Sequence, residues 1–407
     1  MTMDPAASPA PPDALPSVRL MPKAEARAIR HGFPWVYANE MVLDRRTKAL
    51  EPGSLAVLED AQRVPLGVVA VNPLSKIAAR VLDPAPGAVI DEAWFETRLA
   101  AAQIHRALVY DAPFYRLVHA EADGLPGVVI DRFGETAVIQ PNAAWAERRL
   151  AALVAALVRV TGVTTVLKNA GGRARALEGL DAESGVLLGA APAGPVPVRM
   201  NGATYMADLT GGQKTGIFYD QRESHAFVQR LARGARVLDV FSHVGGFALA
   251  ALAGGAERAL AVDGSAPALA LAREGAAASG VAGRFETREG DAFAVLQDLG
   301  GEAARFEVVI CDPPAFAPSR QALDAGLRAY ERVARLAAGL VAENGYLVLC
   351  SCSHAVDLAA FRAASARGIG KAGRRGPLVW EGRAGPDHPV LPQLAETGYL
   401  KALAFRL

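Results

Sequence analysis

Apolar residues between positions 18 and 85 fall in short runs set between turns: Trp35–Tyr37, Leu55–Leu58 and Leu66–Val71, with Pro52-Gly53 and Asn72-Pro73 between them. Runs of that length bounded by turn formers predict strands, and together a small β-rich module. After the linker Asp83-Pro84-Ala85-Pro86-Gly87 the period lengthens. Glu92–Tyr110 has the spacing of an amphipathic helix. Tyr115–His119, Gly127–Ile130 and Thr136–Gln140 read as strands, Ala144–Val160 as a helix and Thr164–Lys168 as a strand. From Gly194 a third pattern begins. Val196–Met200 and Thr204–Leu209 flank Asn201-Gly202, a strong hairpin signal. Short apolar strands then alternate with helix-length segments: Arg236–Val240, a helix to Ala253, Ala259–Val262, a helix over Ala266–Ser279, Arg284–Glu289 and Phe306–Ile310. A helix over Ala322–Val341 and, after the turn Glu343-Asn344-Gly345, a strand Tyr346–Cys350 complete the series. Such alternation predicts βαβ units around a parallel sheet, an α/β protein. No segment recurs with the period of about 20–50 residues that marks a solenoid.

In a parallel sheet the carboxyl ends of the strands emerge on one edge, where doubly wound folds bind their ligands. Here those ends carry Asp239, Asp263, Asp291, Asp312 and Cys352, in that order. The first strand–helix turn contains Gly245-Gly246, and Asp263 follows 24 positions after Asp239. A glycine turn that admits a ligand to the backbone, then an acid about 20 residues on to hold a ribose, is a nucleoside-binding pattern. A plain α/β core can show the same pattern. No Gly-x-Gly-x-x-Gly occurs, which argues against a nicotinamide dinucleotide. Gly212-Gln213-Lys214-Thr215 lacks the glycine spacing of an ATP-binding phosphate loop.

Composition narrows the class. A length of 407 residues allows two or three domains, and 51% hydrophobic with 21% charged residues describes an ordinary globular chain. The longest near-chargeless run, Phe241–Ala256, holds a histidine and four glycines, which suits a buried α/β segment and not a membrane span. The first 16 residues, MTMDPAASPAPPDALP, lack the basic and apolar regions of a secretory signal and read as a disordered proline-rich tail. Three cysteines point to a reducing compartment, the cytoplasm. The net charge of +1 gives no overall basic field, and 36 Arg against 7 Lys in so alanine-rich a chain is neutral evidence. Locally, Lys23–His31 can set basic residues on one side of a short helix. That suits a solvated face or an edge that grips RNA phosphates equally well.

Two strand ends carry specific chemistry. In Asp312-Pro313-Pro314-Ala315-Phe316 the prolines fix the chain direction leaving the strand, so Asp312 is presented rigidly beside whatever fills the cleft; a simple rigid turn is the plain alternative. Cys352 lies at the next strand end. A thiolate there can act as a nucleophile, and the reaction that needs one is methylation at a pyrimidine carbon. C5 of cytosine is too weakly nucleophilic to take a methyl directly; addition of a thiolate at C6 makes it enamine-like, and Asp312 beside N3 would offset charge on the ring. Cys311 and Cys350 read as small buried hydrophobes. Cys350-x-Cys352-x-His354 lacks the ligand spacing of a zinc site, so no metal is expected. Amino-group methylation is the competing reaction, but enzymes of that kind usually carry an aromatic directly after the prolines, where Ala315 stands.

Taken in order, these residues resemble the bacterial class I S-adenosylmethionine-dependent 23S rRNA (cytosine-5) methyltransferases of the large-subunit methyltransferase I type. The matching segments are His31–Tyr37, Tyr115–Val118, Glu121–Asp131 with Gln140, Gly212–Arg222, Asp239–Phe247, Asp291–Phe293, Asp312–Phe316, Ser351–Ser353, Asp387–Pro389 and Tyr399–Lys401. The resemblance implies a tail over residues 1–17, a PUA-like RNA-binding β-barrel over 18–88, a middle α/β domain over 89–192 and a Rossmann-like methyltransferase domain over 193–407. It implies S-adenosyl-L-methionine contacts at Phe218, Asp220, Arg222, Asp239, Phe241, Gly245, Asp263, Gly264, Asp291, Ala292 and Asp312, and a Cys352 nucleophile. The base that removes the C5 proton is unassigned, with His354 and His388 as candidates. The implied partner is 23S rRNA or a large-subunit precursor, with no membrane; a homodimer is left open. The alternatives are an rRNA adenine or guanine amino-methyltransferase and a non-catalytic RNA-binding assembly factor.

Overall fold

The computed structural model describes residues 15–211 and 216–407. Most of the predicted tail and all of Gly212–Thr215, with its phosphate-loop likeness, therefore lie outside the described residues. Ser17, assigned to the tail by its composition, opens a strand (Ser17–Arg19) that pairs in parallel with Ser54–Glu59. The first module is a five-stranded sheet in the order Ser17–Arg19, Ser54–Glu59, Pro65–Val71, Ile77–Asp83, Trp35–Tyr37. The expected helix over Lys23–His31 shrinks to Ala26–Arg30.

A second five-stranded sheet follows, in the order Gly185–Leu188, Thr165–Lys168, Thr136–Pro141, Val128–Phe133, Phe114–His119. The long helix Glu92–Val109 covers it, capped by Asp91, whose side chain accepts from the Trp94 amide. Trp94, Phe95 and Trp145 form the centre of its core, with Phe95 and Trp145 stacked at 5.9 Å. The helix predicted over Ala144–Val160 is two helices, Ala144–Arg148 and Leu150–Thr161, broken at Arg149. The first of them is pressed onto Gly53 of the N-terminal module. A Cβ at Gly53 would stand 2.6 Å from the Ala144 carbonyl carbon, so this close approach requires glycine.

The hairpin Val196–Met200 and Ala203–Ala207 turns on Asn201 (φ 53°) and Gly202 (φ 71°), both left-handed as a two-residue turn demands. The seven strands of the C-terminal sheet are numbered β1 (Arg236–Val240), β2 (Arg258–Asp263), β3 (Phe285–Glu289), β4 (Phe306–Cys311), β5 (Val341–Ser351), β6 (Leu378–Gly382) and β7 (Lys401–Arg406). Their order is β3-β2-β1-β4-β5-β7-β6; β1 to β5 are parallel, and β7 runs antiparallel between β5 and β6. Central strands buried on both faces read as unbroken apolar runs, and Val237, Leu238 and Val240 show this. The order reverses between β1 and β4, so a crevice opens there at the carboxyl ends. The predicted turn at Glu343–Gly345 is instead a bulge inside β5, with Asn344 at φ 60°. Arg374 donates to the Val341 and Ala342 carbonyls at this bulge, which is why β5 begins at Val341 where the apolar pattern continued the helix.

Polar contacts tie the three modules together. Trp35 Nε1 and Arg80 both donate to Glu121, and Arg80 and Asn72 donate to Glu178. The segment between β6 and β7 reaches both other modules. Asp387 accepts from the Tyr110 hydroxyl and the Arg116 amide, its carbonyl accepts from Arg106, and Gln393 Nε2 donates to the His31 carbonyl at 3.0 Å.

Candidate functional site

The turn after β1 is built from left-handed residues: Phe241 at φ 64°, His243 at φ 49° and Gly245 at φ 79°. A bulky side chain such as Phe241 rarely adopts that conformation, and strain of this kind gathers at ligand sites. Asp263 holds the turn in place. Its Oδ2 accepts from the His243 amide and its Oδ1 from the Ser265 amide, both at 2.8 Å. Next to it Gly264 faces open space: an added Cβ would meet only the Gly290 carbonyl, at 3.8 Å. The His225 ring lies on the turn from below, and a Cβ at Gly246 would stand 2.8 Å from its Nε2. Burial drives that imidazole down to about 3, so it is neutral.

Asp239 is fully buried at the end of β1. Oδ2 accepts from the Ala248 amide at 2.9 Å, in the first turn of the helix Gly246–Ala253, while Oδ1 has no partner among the described residues. Burial, with a smaller contribution from the charge on Asp263, raises its pKa to about 7. The lead-in segment closes over the same crevice. The Phe218 ring meets the His243 ring edge-on at 5.1 Å, and Asp220 accepts from the Tyr399 hydroxyl at 2.6 Å. Buried polar atoms without a partner among the described residues gather here: Asp220 Oδ1, Gln221 Oε1, Ser224 Oγ, Asp239 Oδ1 and Ser242 Oγ. A buried polar group left unpaired is costly and calls for a partner, so these atoms suit a ligand that carries hydrogen-bonding groups. Arg222 stands apart from it: its guanidinium lies 4.0 Å from the Tyr110 ring centroid and donates to the Phe114 carbonyl in the middle module.

Asp291 caps the helix Ala292–Gly301 by accepting from the Ala294 amide at 2.9 Å, and Ala292 is buried at its start. Loss of such a cap costs about 1 kcal/mol. Asp291→Ala is therefore expected to lower the melting temperature, and Asp291→Asn, which keeps the acceptor, to leave it unchanged. A calorimetric scan of the two variants checks this; equal melting in both would remove the cap.

At the other side of the crevice, the Asp312 amide donates to the Val240 carbonyl at 3.2 Å, which joins the Asp-Pro-Pro loop to the end of β1. Cys352 is the first residue beyond β5 and is half-buried, while Cys311 and Cys350 are buried. The residues on either side of Cys352 are fixed by Tyr330: Ser351 Oγ donates to its hydroxyl at 2.9 Å, and that hydroxyl lies 2.8 Å from Ser353 Oγ. Ser353 Oγ in turn accepts from the Ala317 amide at 3.1 Å. One chain of hydrogen bonds thus sets the thiol relative to the Asp312 loop. Phe316 of that loop packs on Tyr330, Phe293 and Phe241.

His354 is exposed, with its ring 5.2 Å from that of Tyr399. His388 lies elsewhere. It is buried beside Asp387, with Nδ1 2.9 Å from Oδ1, and packs on His119 of the middle module. Burial would raise Asp387, but His388 and Arg222 outweigh it and hold the carboxyl at about 2. Tyr330, Tyr399 and Lys401 complete the site and were not singled out by chemistry in the sequence. Tyr399 and Lys401 entered the sequence reading only as a segment of the family resemblance.

A family model described as S-adenosylmethionine-dependent methyltransferase matches residues 141–406, and one described as a PUA-like domain matches 18–84. Ribosomal RNA large subunit methyltransferase I of Erwinia tasmaniensis is 34% identical over 396 residues, which covers 96% of this chain and 100% of that one. The protein of that name from Klebsiella pneumoniae (strain 342) is 33% identical, covering 95% and 98%. Among solved structures, a Streptococcus mutans protein assigned to the SAM-dependent methyltransferases superposes with a TM-score of 0.80 at 20% identity, over 97% of this chain and 100% of that one. A methyltransferase-assigned chain solved in complex with SAH gives 0.81 at 20% identity, with the same coverage. At that identity the likeness concerns the fold.

Proposed function

The chain belongs to the S-adenosylmethionine-dependent methyltransferase family, and from that membership we propose that it methylates C5 of a cytosine in large-subunit ribosomal RNA through an adduct on Cys352. The observation that carries this reading is the placement of the one half-exposed cysteine at the β5 end, locked by Tyr330 to the Asp312 loop. Relatives of the same length named for ribosomal RNA of the large subunit support the substrate class. A PUA-like first module supports RNA as the partner, with 23S rRNA or its precursor particle as the form of substrate.

S-adenosylmethionine supplies an electrophilic methyl when bound. The residues that would hold it are Asp239, Phe241, Gly245, Asp263 and Gly264 around the first turn, Asp291 and Ala292 after β3, and Phe218 and Asp220 from the lead-in. The target base has to leave its stack to reach the crevice, as bases modified at ring atoms do. The Cys352 thiolate forms a bond to C6, and Asp312, as a carboxylic acid beside N3, donates a hydrogen bond that offsets the negative charge building on the ring. C5 takes the methyl as the donor's S–CH3 bond breaks, the C5 proton passes to water, and the electron pair of that C–H bond restores the C5–C6 double bond as the sulfur departs as thiolate. Phe316, committed to packing on Phe293 and Tyr330, is not presented as the stacking aromatic that amino methylation uses.

Nucleoside analysis of ribosomal RNA with and without this protein tests the proposal. The expected result is one 5-methylcytosine lost from large-subunit RNA in its absence. Loss of a methylated purine amine, or of no modification, would overturn it.

A further inference from the structure

Lys401 opens β7 directly opposite Ser351, the last residue of β5. Its long side chain then turns toward the loop: Nζ donates to the Ser353 carbonyl at 2.9 Å and to the Tyr399 carbonyl at 2.8 Å. Two of its three protons are thereby fixed on the backbone carbonyls of Ser353, next to Cys352, and Tyr399, and the third is left for another acceptor. Lysine ammonium groups are strongly hydrated, and holding one part-buried on two carbonyls calls for a charge that repays the lost water.

We infer that Lys401 is the counter-ion of the Cys352 thiolate, a positioning residue whose fixed positive charge keeps the nucleophile ionised. The inference rests on the reading of Cys352 as the nucleophile. Burial lowers the pKa of the Lys401 ammonium and the charge on Cys352 opposes that effect, so the two groups sense each other. The other titratable groups facing the thiol are the phenols of Tyr330 on its helix and Tyr399 on the strand approach. His354 packs against Tyr399, and Asp357 acts on Lys401 from the far side. In the step itself the thiol proton passes to water, Lys401 stays protonated throughout, and the electron pair left on sulfur forms the bond to C6.

The test is the pH dependence of Cys352 alkylation by iodoacetamide in the full chain, where Cys311 and Cys350 are buried and shielded. Lys401→Gln keeps a donor for the Ser353 carbonyl without the charge, and Lys401→Arg keeps the charge. An opposite charge at this range shifts a pKa by about 1 unit or more. The alkylation midpoint is therefore expected to rise by about 1 pH unit in Lys401→Gln, a roughly tenfold loss of thiolate near neutral pH. Lys401→Arg should return it most of the way. An unchanged midpoint in Lys401→Gln, or the same rise in Lys401→Arg, overturns the inference. Should Lys401→Gln not fold, Lys401→Met takes its place, with the melting temperature recorded for each. Methyl transfer by Cys352→Ala separates the two readings. If transfer persists there, the nucleophile reading fails while the alkylation shift still measures the ion pair.

Discussion

Cys352→Ala is expected to stop methyl transfer, with a loss of at least about a thousandfold, or about 4 kcal/mol of barrier at 1.36 kcal/mol per decade, while S-adenosylmethionine still binds. The split follows from the layout of the site. The donor-side residues lie on the β1–β3 edge, and the thiol lies at the end of β5 beyond β4. Neither Cys311 nor Cys350 can take over, because both are buried and burial pushes both thiols above their ordinary range. The supporting bonds run through Ser351, Ser353 and Tyr330 and do not use the Cys352 side chain, so the alanine variant should keep its fold. Single-turnover transfer to RNA, with calorimetric titration of the cofactor, checks both halves. Transfer at even a tenth of the normal rate would remove the thiolate from the mechanism.

Asp239→Asn is expected to stabilise the ligand-free protein at pH 8 and to weaken cofactor binding by at least tenfold. The carboxyl is fully buried, one oxygen serves the Ala248 amide, and the other has no partner among the described residues. Its pKa in the fold, about 7, stands above the ordinary aspartate value of 3.8. A raised pKa means that the fold favours the neutral acid: this contribution to stability is complete below about pH 4 and is lost as pH rises through about 7. At pH 8 the ionised, desolvated group opposes folding by up to about 4 kcal/mol on the linkage relation. Asparagine keeps the acceptor for Ala248 and cannot ionise, so its stability should not share that decline. The ionised form is also the one that attracts the cationic donor, so affinity in the natural protein should rise from pH 6 to 8 and stay flat in the variant. Thermal unfolding at pH 5 and pH 8, with and without S-adenosylhomocysteine, measures this. A variant no more stable than the natural chain at pH 8 would sink the argument.

The sequence disclosed the row of strand ends well, because all but the polar edge strand β3 are apolar runs that lead into an acid or cysteine. Burial on both faces leaves little room for another pattern. What it hid depends on contacts made at long range. The bulge in β5 is invisible because Leu340 and Val341 extend the helical period, and only Arg374 reveals where the unpaired carbonyls go. Arg149 ends a helix in mid-pattern because Ala144 is pressed onto Gly53, about ninety residues earlier. The edge strand Gly185–Leu188 is short and largely exposed, so it carries almost no periodic signal. His388 and Arg222 look like site residues by type, yet both are engaged in joining modules: His388 packs on His119, and Arg222 rests on Tyr110 and the Phe114 carbonyl. In the other direction Tyr330, an unremarked helix residue, holds both serines that flank the thiol.

The place of β7 has a consequence for the order of assembly. This strand, the last in the chain, is inserted between β5 and β6, so both keep an open edge until it arrives. Lys401 and Tyr399 come with it. A partly folded chain can therefore possess its glycine turn and its thiol and still lack the cation beside the sulfur and the phenol on Asp220. On that inference, the sulfur has its cation beside it only once β7 closes the sheet.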